Sequence, residues 1–307
     1  VILKTTTLFQ TPKENFMKTI AVLTDFSERA DNAALYALHF AQHLHANILL
    51  YNSFFVAAAD PISAQIAWPM EDIDELRHDS GKELGVLAAK LKKELSLSGD
   101  GFIPVISCKY HEGNLSPHLD ELLADRDIVL LVMGTHEKGI ASLMTGNHMQ
   151  ELLDKVLLPV LIVPEHQVFK PIHKIAFATD LDDGDIGFIH SLSTLAKHFD
   201  AEILIAHSTE EDYNNQEDQH KTDDFLRQIT NKIDYDKIYY RPIKNMDISK
   251  ALDWLNEHGQ IEILAMVHRH KSFLERIFTR SYTQRMAAHI SLPLLVYPDP
   301  IQSVIVF

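Results

Sequence analysis

The residues best placed to do chemistry are glycines. Gly134, Gly139 and Gly146, with Asn147, follow directly on the unbroken apolar run Ile128–Met133. That run is too short for a buried helix and suits a strand covered on both faces. Met149, Leu152, Leu153 and Val156 then recur at helical spacing, and a second apolar run, Val160–Val163, is bracketed by Pro159 and Pro164. A buried strand that runs through glycines into a helix points backbone N–H groups above the sheet, where anions are favoured. The same glycines would also serve a tight turn alone.

Two carboxylates and one amide stand at comparable places. Asp25 follows the apolar run at Ile20, Asp180 follows a matching run at Ile175, and Asn52 ends the stretch Asn47–Asn52. A carboxylate at a strand end can hold Mg²⁺ or accept from a ribose hydroxyl, and it can equally cap the next helix. Capping is the expected role of Asp180. His207, His268 and His270 invite a zinc reading, but the 18 histidines are scattered and no Cys-x2-Cys or His-Glu-x2-His frame joins these three, so no metal site is assigned. No Gly-x-Ser-x-Gly elbow and no Gly-x4-Gly-Lys-Ser/Thr loop occurs. Cys108, the single cysteine, sits in an apolar strand pattern and is expected to be a buried, inert thiol. No catalytic residue is assigned.

The elements that must position these residues come twice. Ile20-Ala21-Val22-Leu23-Thr24-Asp25 recurs 155 residues later as Ile175-Ala176-Phe177-Ala178-Thr179-Asp180, and the same offset carries Ala41 to Ala196, His43 to His198 and Ser53 to Ser208. Leu158-Pro159-Val160-Leu161 matches Leu292-Pro293-Leu294-Leu295 at an offset of 134 residues, so about 21 extra residues fall inside the first repeat, near 54–76. Strands are expected near Thr19–Thr24, Asn47–Asn52, Phe102–Lys109, Ile128–Met133 and Val160–Val163. Helices are expected near Arg29–Leu44, Glu71–Leu95, Pro117–Ala124 and Met144–Val156. This alternation predicts an α/β fold with a parallel sheet wound on both faces, and ligands beyond the carboxyl ends of the strands. The expected domains are 17–165, with the insert near 54–76, and 171–300. Residues 1–16 read as a leader or as translated upstream sequence before Met17. The insert Phe54–Met70 is apolar and rich in small residues, suited to a lid, to an apolar ligand or partner surface, or to a flap on its own domain.

Composition limits the partners. The 307 residues carry a formal charge of −15 and 46% hydrophobic content, which argues against nucleic acid and anionic membranes, since both require basic surface. No run approaches a membrane span, and one cysteine allows no intrachain disulfide, which fits a cytoplasmic setting.

On these residues the chain resembles the universal stress protein family in its tandem two-domain form. Asp25-Phe26-Ser27 matches the Asp, closely followed by Ser, that ends the family's first strand, and His111–Pro117 loosely resembles its Gly-x-Pro-like segment. Nucleotide-binding members carry Gly-x2-Gly-x9-Gly-Ser/Thr after the fourth strand. Here Gly134 and Gly146 match the first and third glycines, Glu137 stands where the second belongs, Gly139 lies two residues on, and Asn147 replaces the Ser/Thr. In the second repeat His268, Phe273 and Arg280 are expected at the places of Gly134, Gly139 and Gly146, with Arg269, Lys271, Arg276 and Arg280 able to hold an anion or to form a solvated face. The resemblance implies two Rossmann-like, adenine-nucleotide-binding domains related by pseudo-twofold symmetry. It also implies that the strands at Leu158–Val163 and Pro293–Tyr297 pair antiparallel within the chain, an internal pseudo-dimer that leaves a homodimer of whole chains open. The function it implies is a stress-response protein that binds ATP or a related adenine nucleotide, with or without Mg²⁺, through Asp25, Asn52, Gly134, Gly139, Gly146 and Asn147. The alternatives are a nucleotide-free scaffold working through protein contacts or an apolar ligand, and a slow ATPase.

Overall fold

The computed structural model describes residues 17–54, 73–97, 101–112, 119, 121–122, 127–135, 152–209, 216–244, 254–255, 257–269, 292–299 and 304–307. Its strands are β1 (Thr19–Leu23), β2 (Asn47–Phe54), β3 (Ile106–Glu112), β4 (Ile128–Thr135), β5 (Val160–Pro164), β6 (Lys174–Ala178), β7 (Glu202–Thr209), β8 (Ile238–Lys244), β9 (Ile263–His268) and β10 (Leu294–Pro298). The helices used below are α1 (Glu28–Leu44), α2 (Ile73–Leu97), α3 (Asp185–Phe199) and α4 (Gln216–Lys232). Gly139, Gly146, Asn147, His270, Lys271, Phe273, Arg276 and Arg280 lie outside the described residues, as do 1–16 and most of the expected insert. The extra length of the first repeat is partly helical, since α2 has 25 residues and α4 has 17.

The ten strands form one sheet in the order β3-β2-β1-β4-β5-β10-β9-β6-β7-β8. Each half contributes five parallel strands in the same order. The halves meet where β5 and β10 pair antiparallel, with Leu294 opposite Ile162, Leu295 opposite Leu161 and Val296 opposite Val160. The pairing inferred from the family resemblance is therefore present. The central strands are mainly apolar because both faces are covered: every residue of β9 and β10 is buried, His268 at the end of β9 included. On one face Val22, Leu50, Val132, Phe177 and Ala265 pack beneath α1 and α3 residues such as Ala37 and Leu192. On the other, Leu131, Ile162, Leu264 and Val296 pack with Leu119, Leu122, Leu152 and Leu153.

Helix ends repeat as faithfully as strands. α1 stops at His45 and α3 at Asp200, both left-handed, and these two residues are 155 apart. Between the helices lies an aromatic seam. Phe40 and Phe199 have ring centroids 4.9 Å apart, His43 stacks on Phe199 at 5.0 Å, and Phe169 from the connecting segment sits 5.1 Å from Tyr36. Residues 304–307 lie along α3. The Ser191 hydroxyl donates to the Ile305 carbonyl (2.7 Å), the Phe307 amide donates to Thr194 Oγ1 (3.0 Å), and the Phe307 ring is buried.

Two expectations fail at the free edge. β3 begins at Ile106 rather than Phe102, and Cys108 is exposed. An edge strand has a neighbour on one side only, so apolar spacing there does not guarantee cover.

The aromatic seam gives a test of how the halves are joined. Phe40→Ala removes a fully buried ring that contacts both α3 and α1. It should cost about 3 to 5 kcal/mol, and chemical denaturation followed by circular dichroism should still show both halves melting together.

Candidate functional site

β1 lies between β2 and β4, so the carboxyl ends that carry Asp25, Asn52 and Gly134 adjoin. The turn from β1 into α1 is built by short side-chain bonds. Thr24 Oγ1 accepts from the Phe26 amide (3.0 Å), Phe26 is left-handed at φ 61°, and Ser27 caps α1 by accepting from the Ala30 amide (3.4 Å). Asp25 is therefore not the cap. Its carboxylate accepts from the Ser27 amide (3.2 Å), the Ser27 hydroxyl and the Arg29 guanidinium. Burial pushes this acid up, but the Ser27 hydrogen bonds and the Arg29 charge outweigh it and hold the carboxyl below its ordinary range. It is an anion at neutral pH.

Asn52 is 5% exposed and donates through Nδ2 to the Thr24 carbonyl (2.8 Å). Its Oδ1 is buried and has no hydrogen-bond partner among the described residues. A buried amide oxygen left unsatisfied costs about 1 to 3 kcal/mol, so this atom calls for a donor from a ligand or a water. Thr135 Oγ1, at the end of β4, is in the same condition. Thr135 is not marked out in the sequence, because a threonine in a strand has no spacing that identifies it as polar and buried.

Gly134 has a different reason from the one its motif suggests. A Cβ there would stand 2.4 Å from the Arg29 carbonyl oxygen and 3.1 Å from the Ala30 nitrogen. The glycine lets the first turn of α1 press against β4, which carries that helix's N-terminus to the strand ends.

The second repeat copies the frame and changes the contents. Thr179 Oγ1 accepts from the Leu181 amide (2.8 Å), Leu181 is left-handed at φ 61°, and His207 Nδ1 donates to the Thr179 carbonyl (2.9 Å), as Asn52 does to Thr24. The strand register corrects the expected equivalence at Gly134. Ala21 pairs with Leu131 and Ala176 with Leu264, an offset of 133, so Val267 takes the place of Gly134 and His268 that of Thr135. Val267 supplies the Cβ that Gly134 lacks, and here the helix begins later: α3 starts at Asp185, the counterpart of Ala30, and its N-cap Gly184 makes no side-chain cap. The offset of 134 read from the Leu158–Leu161 motif does not hold back to β4, because the β4–β5 connection is one residue shorter than the β9–β10 connection.

Asp180 is not a helix cap, and Arg269 is not an open anion holder. Arg269 Nη1 donates to Asp180 Oδ1 (3.0 Å), Nη2 contacts Asp185 and lies 3.5 Å from Asp182, and Nε lies 3.5 Å from Asp299. Asp185 is fully buried; burial first and the nearby Asp180 charge next raise its carboxyl to about 6, against the pull of Thr179 and Arg269. His268 Nε2 donates to Asp154 Oδ1 (2.8 Å), in the helical turn Leu152–Lys155 of the first repeat. No group of three or more His, Cys, Asp or Glu suited to a metal ion occurs among the described residues.

Gly134→Ala should destabilise the fold by about 1 to 3 kcal/mol, because backbone rather than a mobile side chain must yield; urea denaturation checks it. For Asp185 the native carboxyl titrates above its unfolded counterpart, so the native state binds the extra proton. Its contribution is full below about pH 4 and lost as pH rises through about 6. Asp185→Asn should flatten that part of the stability profile, measured as denaturation midpoints from pH 4 to 7.

The Universal stress protein family model matches residues 17–164, the first repeat. No curated protein sequence matches the chain. A universal stress protein structure from Archaeoglobus fulgidus is similar over 91% of this chain and 98% of its own, with a TM-score of 0.64 and 16% identity. A protein of unknown function from Pseudomonas aeruginosa aligns over 92% of each chain at 12% identity and a TM-score of 0.51. The cytoplasmic domain of a prokaryotic cation chloride cotransporter covers 94% of this chain and 98% of its own at 8% identity and a TM-score of 0.54. At these identities the likenesses speak to the fold alone, and they extend it across both halves. The first repeat therefore belongs to the universal stress protein family, and the second builds the same fold again on the other half of one sheet.

Proposed function

We propose that the first repeat binds an adenine nucleotide or a similar small anionic ligand, and that the protein acts in a stress response as a regulatory binding module. The observation that carries this reading is the buried, unpartnered Asn52 Oδ1 at the junction of β1, β2 and β4. Around it stand the ionised Asp25, able to accept from ribose hydroxyls or to hold a hydrated Mg²⁺, and the α1 N-terminus brought close by Gly134. Gly139, Gly146 and Asn147 would complete the phosphate side from the following loop.

The second repeat supports the assignment by contrast. Its counterpart of Asn52 Oδ1 is replaced by a histidine ring, the place of Gly134 is taken by Val267, and Arg269 with its aspartates occupies the strand ends. One ligand per chain is the expected ceiling. Among the described residues no helix is long and apolar enough to cross a membrane.

Calorimetry with Mg-ATP should give one site per chain, and saturation at 100 times Kd should stabilise the fold by about 2.7 kcal/mol. Asn52→Leu should remove that binding, while Arg269→Ala should leave the stoichiometry at one. Absence of both heat and thermal stabilisation at millimolar nucleotide would favour the scaffold reading instead. Phosphate release that disappears in Gly146→Val would favour a slow ATPase.

A further inference from the structure

The geometry points to Arg269 as a proton-released latch, which fastens the exit of β9 to the β6–α3 loop at neutral pH and lets go when the buried Asp185 takes up a proton. Arg269 directly follows β9, and its guanidinium gathers carboxylates from three other places: Asp180 and Asp182 in the loop after β6, Asp185 in the first turn of α3, and Asp299 just after β10. Only one of these partners is withdrawn from water. The Asp185 side chain is 1% exposed, whereas those of Asp180 and Asp182 are more than half exposed and that of Asp299 is partly so. Exposed pairs are screened and hold a guanidinium weakly, so the anchoring of Arg269 rests on Asp185.

The groups facing Asp185 are Thr179, whose hydroxyl donates to Oδ2 at 2.5 Å, Arg269 and the Asp180 charge. From α4, Lys221 Nζ reaches the Asp180 carbonyl (3.1 Å) and Gln228 the Asp183 carboxylate (2.7 Å), so α4 holds the loop without competing for Arg269. The sign follows from linkage. Arg269 pulls the Asp185 carboxyl downward, so with Arg269 withdrawn and Asp185 still buried the acid binds its proton more tightly, and protonation favours withdrawal. A neutral Asp185 can stay where it is. Its Oδ2 still accepts from the Thr179 hydroxyl, and the proton sits on Oδ1, the oxygen that Arg269 gives up, so the buried group carries no charge after the cation has left.

The outcome is local. The sheet, the Leu181 turn and α3 keep their positions, and what changes is whether Arg269, at the exit of β9, is held against the β6–α3 loop. Because burial brings Asp185 to about 6, the transition falls in the range of mild acidification.

The test is nitrogen-15 NMR of the Arg269 Nε–H in the full chain, titrated from pH 8 to pH 5. In the wild type the resonance should be protected from solvent exchange at pH 7.5, and protection should fall roughly tenfold with a midpoint near 6. Asp185→Asn, neutral at every pH, should show the unprotected arginine throughout, and Asp182→Asn should leave the midpoint unchanged. Protection that persists in the wild type down to pH 5 overturns the latch, even if Asp185→Asn does not fold. So does an Asp185→Asn protein that keeps wild-type protection at pH 7.5.

Discussion

The structure depends on the pairing of β5 with β10. Each five-stranded half ends in an apolar strand whose unpaired backbone would face water or another chain. Antiparallel pairing of Val160–Ile162 with Leu294–Val296 covers both edges at once, and one sheet then runs from β3 to β8. Because the seam is antiparallel, the halves are related by a twofold and their carboxyl strand ends face opposite ways along the sheet. The aromatic contacts between α1, α3 and Phe169 close the same junction from one face.

Within that frame the two repeats show how one backbone design can be open or filled. The turn after the first strand is the same in both, down to a threonine hydroxyl bonded to a left-handed residue two positions on. The difference begins at one side chain. A glycine at 134 admits the first turn of α1, whereas Val267 goes with a helix that starts at the counterpart of Ala30 and a loop of aspartates around Arg269. Backbone at the strand ends has thus been exchanged for ion pairs, and the polarity of the site has changed with it.

Much of this was legible in the sequence. The duplication and the strands followed from repeated apolar runs whose spacing survives because both sheet faces are buried, whereas the central pairing followed from the family resemblance. Asp25, Asn52 and Gly134 were placed at strand ends, and the structure brings those ends together. What could not be read depends on register and on contacts far apart in sequence. The one-residue shift that puts Val267 at the place of Gly134 is fixed by pairing with β6, and the clamp on Arg269 joins residues 30 to 89 positions away. Cys108 was misjudged because spacing records which face a residue takes and not whether its strand has a neighbour on both sides.

The distance along the chain between the paired strands also sets an order of events during synthesis. β5 is complete at residue 164, and its partner begins at residue 294. The first half can therefore collapse around its own cores long before the strand that covers its edge has been made. During that interval β5 is a bare apolar edge on a nearly finished sheet, open to the same strand of a neighbouring nascent chain. The antiparallel seam that joins the repeats in the finished molecule is thus the edge most open to wrong pairing while the chain is being made.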